Sequence, residues 1–261
     1  MRRLTPFLGM AAIVVAAAMP VHAQEGPPPF TSVSEIEFAP GDADTFAEQV
    51  RIVKEAAEEI GLDARFAWNT YRWDNTFWFV SSNPTLADLE DPNAMAAAFQ
   101  GTAAEGRVMA AFEAAGGLNA LSYDSQVLRI NPELSYQPET PAFGEEGPGG
   151  VYIVEQWVRG GARADWEAST RELMGILGAI NGGYPVLVAE DLIGDGGVSF
   201  VVIFDDPATF YGEGSLENAL AGTGHEEHWA QVAERHAGTL ARSSSQMMMR
   251  LPDLSYQPEG N

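Results

Sequence analysis

Apolar residues recur at helical spacing early in the chain: Phe46, Val50, Val53, Ala57 and Ile60, separated by 4, 3, 4 and 3 positions. One face of an amphipathic helix gives that rhythm. Thr45-x-x-Glu48 reads as a capping box at its start, and Gly61 suits the left-handed residue that ends it. The pattern around this helix switches to strands. Ser34–Phe38 precedes it, and the aromatic-rich Arg65–Trp73 follows. Asp74-Asn75 then supplies a tight turn before Thr76–Val80. A second helix is predicted over Ala104–Ala115 and a last strand over Ser125–Ile130.

The same rhythm is written twice. Pro132-Glu-Leu-Ser-Tyr-Gln-Pro138 returns as Pro252-Asp-Leu-Ser-Tyr-Gln-Pro258, 120 positions on. That spacing carries the first helical stripe onto Trp166, Thr170, Leu173, Leu177 and Ile180, with Asn181, another residue tolerant of the left-handed region, in place of Gly61. Strands at Tyr184–Leu192 and Val198–Phe204 flank Gly194-Asp195-Gly196-Gly197. A helix over Glu226–Ala237 and a strand over Ser245–Arg250 complete the second copy. Repeats of this kind set the architecture. Each copy reads β-α-β-β-α-β, the ferredoxin-like order. A sheet with both helices on one face leaves its other face bare, and two such sheets can bury those faces together. The expected fold is therefore α+β: two tandem ferredoxin-like units packed sheet to sheet as an internal pseudo-dimeric α+β barrel. The expected boundaries are 33–138 and 151–258, joined by a linker over 139–150 and followed by a tail, 259–261. The repeated Leu-Ser-Tyr-Gln-Pro reads as a clasp sealing one half of the barrel.

Composition narrows the setting. Met1-Arg2-Arg3, an apolar run over 7–19, Pro20 and Val21-His22-Ala23 read as a secretory signal peptide over 1–23, followed by a Pro-rich flexible lead over 24–32. Export to the periplasm or the medium is expected, with no membrane insertion once the peptide is removed. The chain has no cysteine, which excludes disulfides, thiolate nucleophiles and zinc–sulfur sites. A formal charge of −23 repels nucleic acid and anionic lipid, so neither is expected as a partner.

Two stretches of the second copy carry a family resemblance: the strand Val151-Tyr-Ile-Val-Glu-Gln-Trp-Val-Arg-Gly160, and Leu216-Glu-Asn-Ala-Leu-Ala-Gly-Thr-Gly-His-Glu-Glu-His-Trp229 leading into the last helix. The chain resembles the dimeric α+β-barrel superfamily, in particular antibiotic-biosynthesis-monooxygenase-like domains, in element order over both copies and in residue type over these stretches. The resemblance implies a barrel whose sheet-and-helix clefts each can hold a small, often aromatic molecule. Some members of the superfamily are cofactor-free oxygenases, some degrade haem, and fold alone does not choose among them.

Chemistry-bearing residues concentrate in two places. His225, His228 and His236 are the three histidines beyond the signal peptide. His225, Trp229 and His236 fall on one helical stripe, with His228 one turn from His225. Imidazoles titrate near neutrality, so His225 and His228 are candidate catalytic bases, with Trp229 and His236 as ligand contacts. The first copy replaces them with Ala104, Arg107 and Ala115, and instead concentrates aromatics at Trp68, Tyr71 and Trp73 with Asn69 interleaved, a surface suited to a flat apolar ligand. The spacing His225-x-x-His228 departs from the zinc pattern His-Glu-x-x-His, and no metal site is assigned. No cofactor is expected, haem and a divalent metal being left open. The expectation is an exported monomer that binds a small apolar or aromatic molecule, with cofactor-independent monooxygenase- or isomerase-like chemistry on it an open question. The alternative is a non-catalytic structural or protein-interaction module with clefts filled by side chains.

Overall fold

The computed structural model describes residues 30–83, 94–138, 148–182, 184–193 and 196–258. The signal peptide, most of the flexible lead, most of the linker and the tail lie outside them. The chain divides into two units, one of residues 1–128 with 250–261 and one of residues 129–249.

The first unit runs β1 (Phe30–Phe38), α1 (Asp42–Ile60), β2 (Asn69–Trp73), β3 (Thr76–Asn83), α2 (Ala94–Ala98), α3 (Glu105–Gly116) and β4 (Ala120–Ile130). Its strand order is β4-β1-β3-β2. Both measured ladders are antiparallel, with Ile36 opposite Phe77 and Tyr71 opposite Trp78. The predicted stripe is the buried face of α1: Phe46, Val50, Val53 and Ala57 are buried and Ile60 is half-buried. Phe46 stacks its ring 4.3 Å from Phe38 and 5.1 Å from Phe77, joining helix to sheet. Gly61 ends the helix at φ 60°, its N–H reaching the carbonyls of Ala57 and Glu58.

The capping box at Thr45 does not form. Gly41, at φ 95°, turns the chain into the helix four residues earlier, and no side chain caps it. Asp42 and Asp44 occupy the first turn, where the helix dipole favours negative charge. The strand predicted from Arg65 starts at Asn69, because Asp63 accepts the N–H of Arg65 (2.9 Å) and winds residues 64–66 into a 3-10 turn. β4 starts five residues before its prediction. Residues 120–125 are exposed, so ladder pairing rather than burial makes them a strand, and no alternation marks them.

The second unit repeats the plan: β5 (Gly150–Val158), α4 (Arg163–Ile180), β6 (Val186–Ile193), β7 (Val198–Phe204), α5 (Pro207–Tyr211), α6 (Leu216–Leu220), α7 (Glu226–Gly238) and β8 (Leu240–Arg250). Its order, β8-β5-β7-β6, is the same permutation. Trp166, Leu173 and Leu177 of α4 are buried, and Asn181 at φ 50° closes the helix as Gly61 does. Gly149 lies where a Cβ would sit 1.7 Å from the carbonyl oxygen of Asp205, so only glycine lets the chain enter β5 there.

The repeated heptapeptide has the same structure in both copies, but each copy packs in the unit built otherwise from the opposite repeat. Residues 252–254 form a 3-10 turn. Tyr256 then exchanges backbone hydrogen bonds with Trp68 (2.9 and 3.0 Å), while Leu254 and Tyr256 are buried in the first core. The Leu254 carbonyl accepts the Trp68 indole N–H (2.7 Å) and the Thr70 hydroxyl (2.8 Å). Tyr136 does the same with Val186 (2.8 Å both ways) in the second unit, and donates its hydroxyl to the Gly182 carbonyl (2.8 Å). Tyr256 donates to the Leu62 carbonyl. The serine explains itself as well. Ser135 Oγ accepts the Val188 N–H (2.9 Å) and donates to the Asn131 carbonyl (2.7 Å); Ser255 Oγ does so with Thr70 (2.9 Å) and Leu251 (2.8 Å).

Candidate functional site

In each unit, two long helices lie over one face of a sheet, and the space between is the natural place for a ligand. The two clefts are built from corresponding positions and are filled differently.

In the second unit the cleft closes around His236 of α7, which is buried (6% exposed). Its ring lies 5.9 Å from that of Trp166 on α4 and 5.7 Å from that of Phe200 on β7. Gln156, an inward-facing polar residue of β5, places Oε1 2.8 Å from the Trp166 indole nitrogen and 2.9 Å from His236 Nε2. The indole can only donate, which orients the amide oxygen toward it and requires the proton of His236 to sit on Nε2. His236 Nδ1 is then an acceptor, and Ser169 Oγ stands 3.0 Å away to donate to it. Burial pushes the imidazole below its ordinary value of 6.5. A proton arriving at Nδ1 would still find every partner. The Ser169 hydroxyl can turn to the carbonyl of Asp165 or Trp166, both 2.9 Å away, and accept from the ring. The chain Ser169–His236–Gln156–Trp166 is a closed, satisfied polar network.

In the first unit the corresponding positions give Phe46 for Trp166, Gln49 for Ser169, Ile36 for Gln156 and Ala115 for His236. A cavity of about 30 Å³ lies beside Ala115. Trp68 and Phe79 form its sheet side, Phe46 and Gln49 come from α1, and Phe112 and Ala115 from α3. Trp68 is held by its indole bond to Leu254, so the clasp fixes one wall of the cavity.

The predicted residues are therefore dispersed. Trp68 lines the first cavity, and His236 lies at the centre of the second network. Asn69 and Tyr71 occupy the opposite face of β2 from Trp68. Asn69 Oδ1 accepts from Arg250 Nε (3.1 Å), and burial pushes the Tyr71 hydroxyl up, with the charge of Arg250 opposing. Trp73 is 58% exposed. His225 precedes α7, its backbone N–H held by Thr223 Oγ1 at 3.2 Å. His228 is exposed, with Nε2 2.6 Å from Glu172, which Arg235 also pairs with at 2.7 Å. Hydrogen bonds from His228 first and Arg235 second hold the Glu172 carboxyl below its usual range. Trp229 is half-buried against the second core. Sequence reasoning missed Gln156, Ser169, Gln49 and Ala115. One signal was present, a glutamine at an inward position between Val154 and Val158. Among the described residues, no group of three or more His, Asp or Glu is placed to hold a metal ion, and no helix is long and apolar enough to cross a membrane.

No protein-family profile matches the chain, and a search of curated proteins finds no match. Solved structures do match. A monooxygenase candidate from Lactobacillus acidophilus aligns over 89% of this chain and 97% of its own, at 7% identity and a TM-score of 0.53. A monooxygenase candidate from Fusobacterium nucleatum aligns over 89% and 95%, at 9% identity and 0.54. An anthrone oxidase-like protein aligns over 90% and 95%, at 10% identity and 0.51. At such identities the likeness is one of fold alone, an α+β fold that runs over both units.

Proposed function

We propose that this protein binds a small apolar or aromatic molecule in the helix–sheet cleft of its first unit. The cavity beside Trp68 carries the reading. Its walls are aromatic and aliphatic with one polar exception, the composition expected of a small-molecule site. As it stands, the cavity is smaller than the roughly 150 Å³ that takes benzene, so a ring enters by displacing side chains. Gln49 and Phe112 are half-buried at its outer wall, and Met95 has the unbranched, adaptable side chain that repacks readily. The filled cleft of the second unit fits the alternative of a side-chain-packed module, whereas the cavity beside Trp68 supports binding.

The reading extends to chemistry and address. The likeness to two monooxygenase candidates and an anthrone oxidase-like protein supports oxidation of such a ligand, and the amino-terminal pattern supports export with loss of residues 1–23.

A thermal-shift screen of aromatic, quinone and haem compounds tests the binding. At a hundredfold excess over Kd a ligand adds about 2.7 kcal/mol, or about 5–10 °C in Tm for a chain of this size. Absence of any shift across the screen at millimolar concentrations sinks the reading. Oxygen uptake with each hit then separates a monooxygenase from a binding protein, and mass spectrometry of the exported chain locates its first residue.

A further inference from the structure

We infer that the face of the first unit's sheet turned away from α1 and α3 carries a second small-molecule site, where the indole N–H of Trp78, beside Tyr71, holds the carbonyl oxygen of a small neutral ligand. The site is separate from the cavity beside Trp68, which lies on the helix-covered face of the same sheet. Register places the residues. Ile36, Phe77 and Phe79 belong to the core under the helices, and successive strand residues point to opposite faces. Trp78 therefore looks the other way, as do its direct cross-strand neighbours, Tyr71 on β2 and Glu35 on β1. Trp78 and Tyr71 are buried there, at 6% and 7% exposed. Asn69 shares the face, and its Oδ1 accepts from Arg250 Nε at 3.1 Å. The charge of Arg250 also acts on the Tyr71 hydroxyl, against the burial that pushes it up.

One atom on this face is left over. Trp78 Nε1 is shut off from water and has no hydrogen-bond partner among the described residues. An indole nitrogen can only donate, so it calls for an acceptor. Trp68, in the same unit, shows the ordinary arrangement, its indole N–H reaching the Leu254 carbonyl at 2.7 Å. Buried donors are nearly always paired, and leaving one unmade is costly, so an orphan of this kind marks ground where an acceptor from outside the chain belongs. Directly opposed side chains on a sheet are about 5 Å apart at Cβ, so Tyr71 flanks whatever the indole holds. The neighbouring charges choose the class of acceptor. Glu35, in direct register with Trp78, brings a carboxylate to the face, and Arg250 beside Tyr71 brings a guanidinium. A ligand oxyanion would meet the Glu35 charge where solvent screens it little. A neutral carbonyl compound supplies the acceptor without that repulsion.

Acetone and acetate, near-isosteres differing in charge, are the probes, with sodium chloride matched throughout. Each is titrated into the nitrogen-15-labelled full chain, whose six tryptophans give six indole N–H signals in a proton–nitrogen correlation spectrum. Trp78→Phe identifies the Trp78 signal by its loss; should that variant fail to fold, Tyr71→Phe identifies it by displacement. The expected result is a saturable downfield movement of the Trp78 signal with acetone, the mark of a new acceptor. Acetone affinity, read by calorimetry, is expected to fall roughly 3- to 10-fold in folded Trp78→Phe, the worth of one net hydrogen bond, and acetate is expected to bind wild type more weakly than acetone. A Trp78 signal that neither probe moves shows that water alone answers the indole and overturns the site. Acetone affinity unchanged in folded Trp78→Phe overturns the role of the indole. Acetate binding as tightly as acetone overturns the choice of a neutral ligand.

Discussion

Leu134→Ala and Leu254→Ala should each destabilise the unit that the clasp packs in, which is not the unit containing the repeat it belongs to in sequence. Both leucines are 1% exposed. Truncating a fully buried leucine removes transfer free energy and leaves a void, about 2–5 kcal/mol together. The upper half of that range is expected here because the surrounding backbone is tied down. The Leu254 carbonyl holds Trp68 and Thr70, and Ser255 and Tyr256 bond the same strand, so collapse around the void is limited. A loss of that size corresponds to roughly 2–4 °C in Tm per kcal/mol for a chain of this length. The decisive assay is amide hydrogen exchange read by mass spectrometry, because locality separates the two variants. Leu254→Ala should lower protection in α1 and β2, and Leu134→Ala in α4 and β6. If Leu134→Ala instead loosened α1 and β2 while leaving α4 protected, the exchange of clasps would be refuted.

The buried network predicts a pH dependence. Burial holds the folded-state value of His236 below the 6.5 of free imidazole, so between those values the unfolded chain binds the extra proton. Its contribution is fully present above pH 6.5 and is lost as pH falls through the folded value. The groups facing the ring, Ser169, Trp166, Gln156 and Phe200, carry no charge to offset it. Denaturant titrations from pH 8 to 5 should show stability falling with pH more steeply in wild type than in His236→Gln, and equal slopes would refute the neutral buried imidazole. His228 predicts the opposite kind of result. It touches Glu172 at the surface, where solvent screens the contact, so His228→Ala should scarcely change Tm or the ligand response. Loss of ligand binding in that variant would move the site from the first-unit cleft to α7.

Much of the architecture was legible in the residues, because helices, turns and caps are decided within a few positions. The stripe from Phe46 to Ile60 and its copy from Trp166 to Ile180 showed two helices, and Gly61 and Asn181 showed where they stop. The 120-residue spacing then made the whole unit readable twice. The exposed first halves of β4 and β8 escaped because pairing, which alternation does not record, makes them strands.

The clefts belong to tertiary structure. Gln156, Ser169 and His236 lie on three elements with most of a repeat between the first and last, and only packing brings their polar atoms within hydrogen-bond distance. Grouping His225, His228 and His236 by proximity along one helix could not separate a ring turned into the core from one paired with Glu172 at the surface. The cavity is harder still to read, because an unfilled volume is defined only by the walls around it, and those come from α1, α3 and the sheet. The exchange of clasps has the same origin. The sequence by itself determined that Leu-Ser-Tyr would bury a leucine and a tyrosine after the last strand of each copy, a local matter of spacing and side-chain chemistry. Which core receives them depends on where the strand before them delivers the chain, and only the tertiary structure decided that.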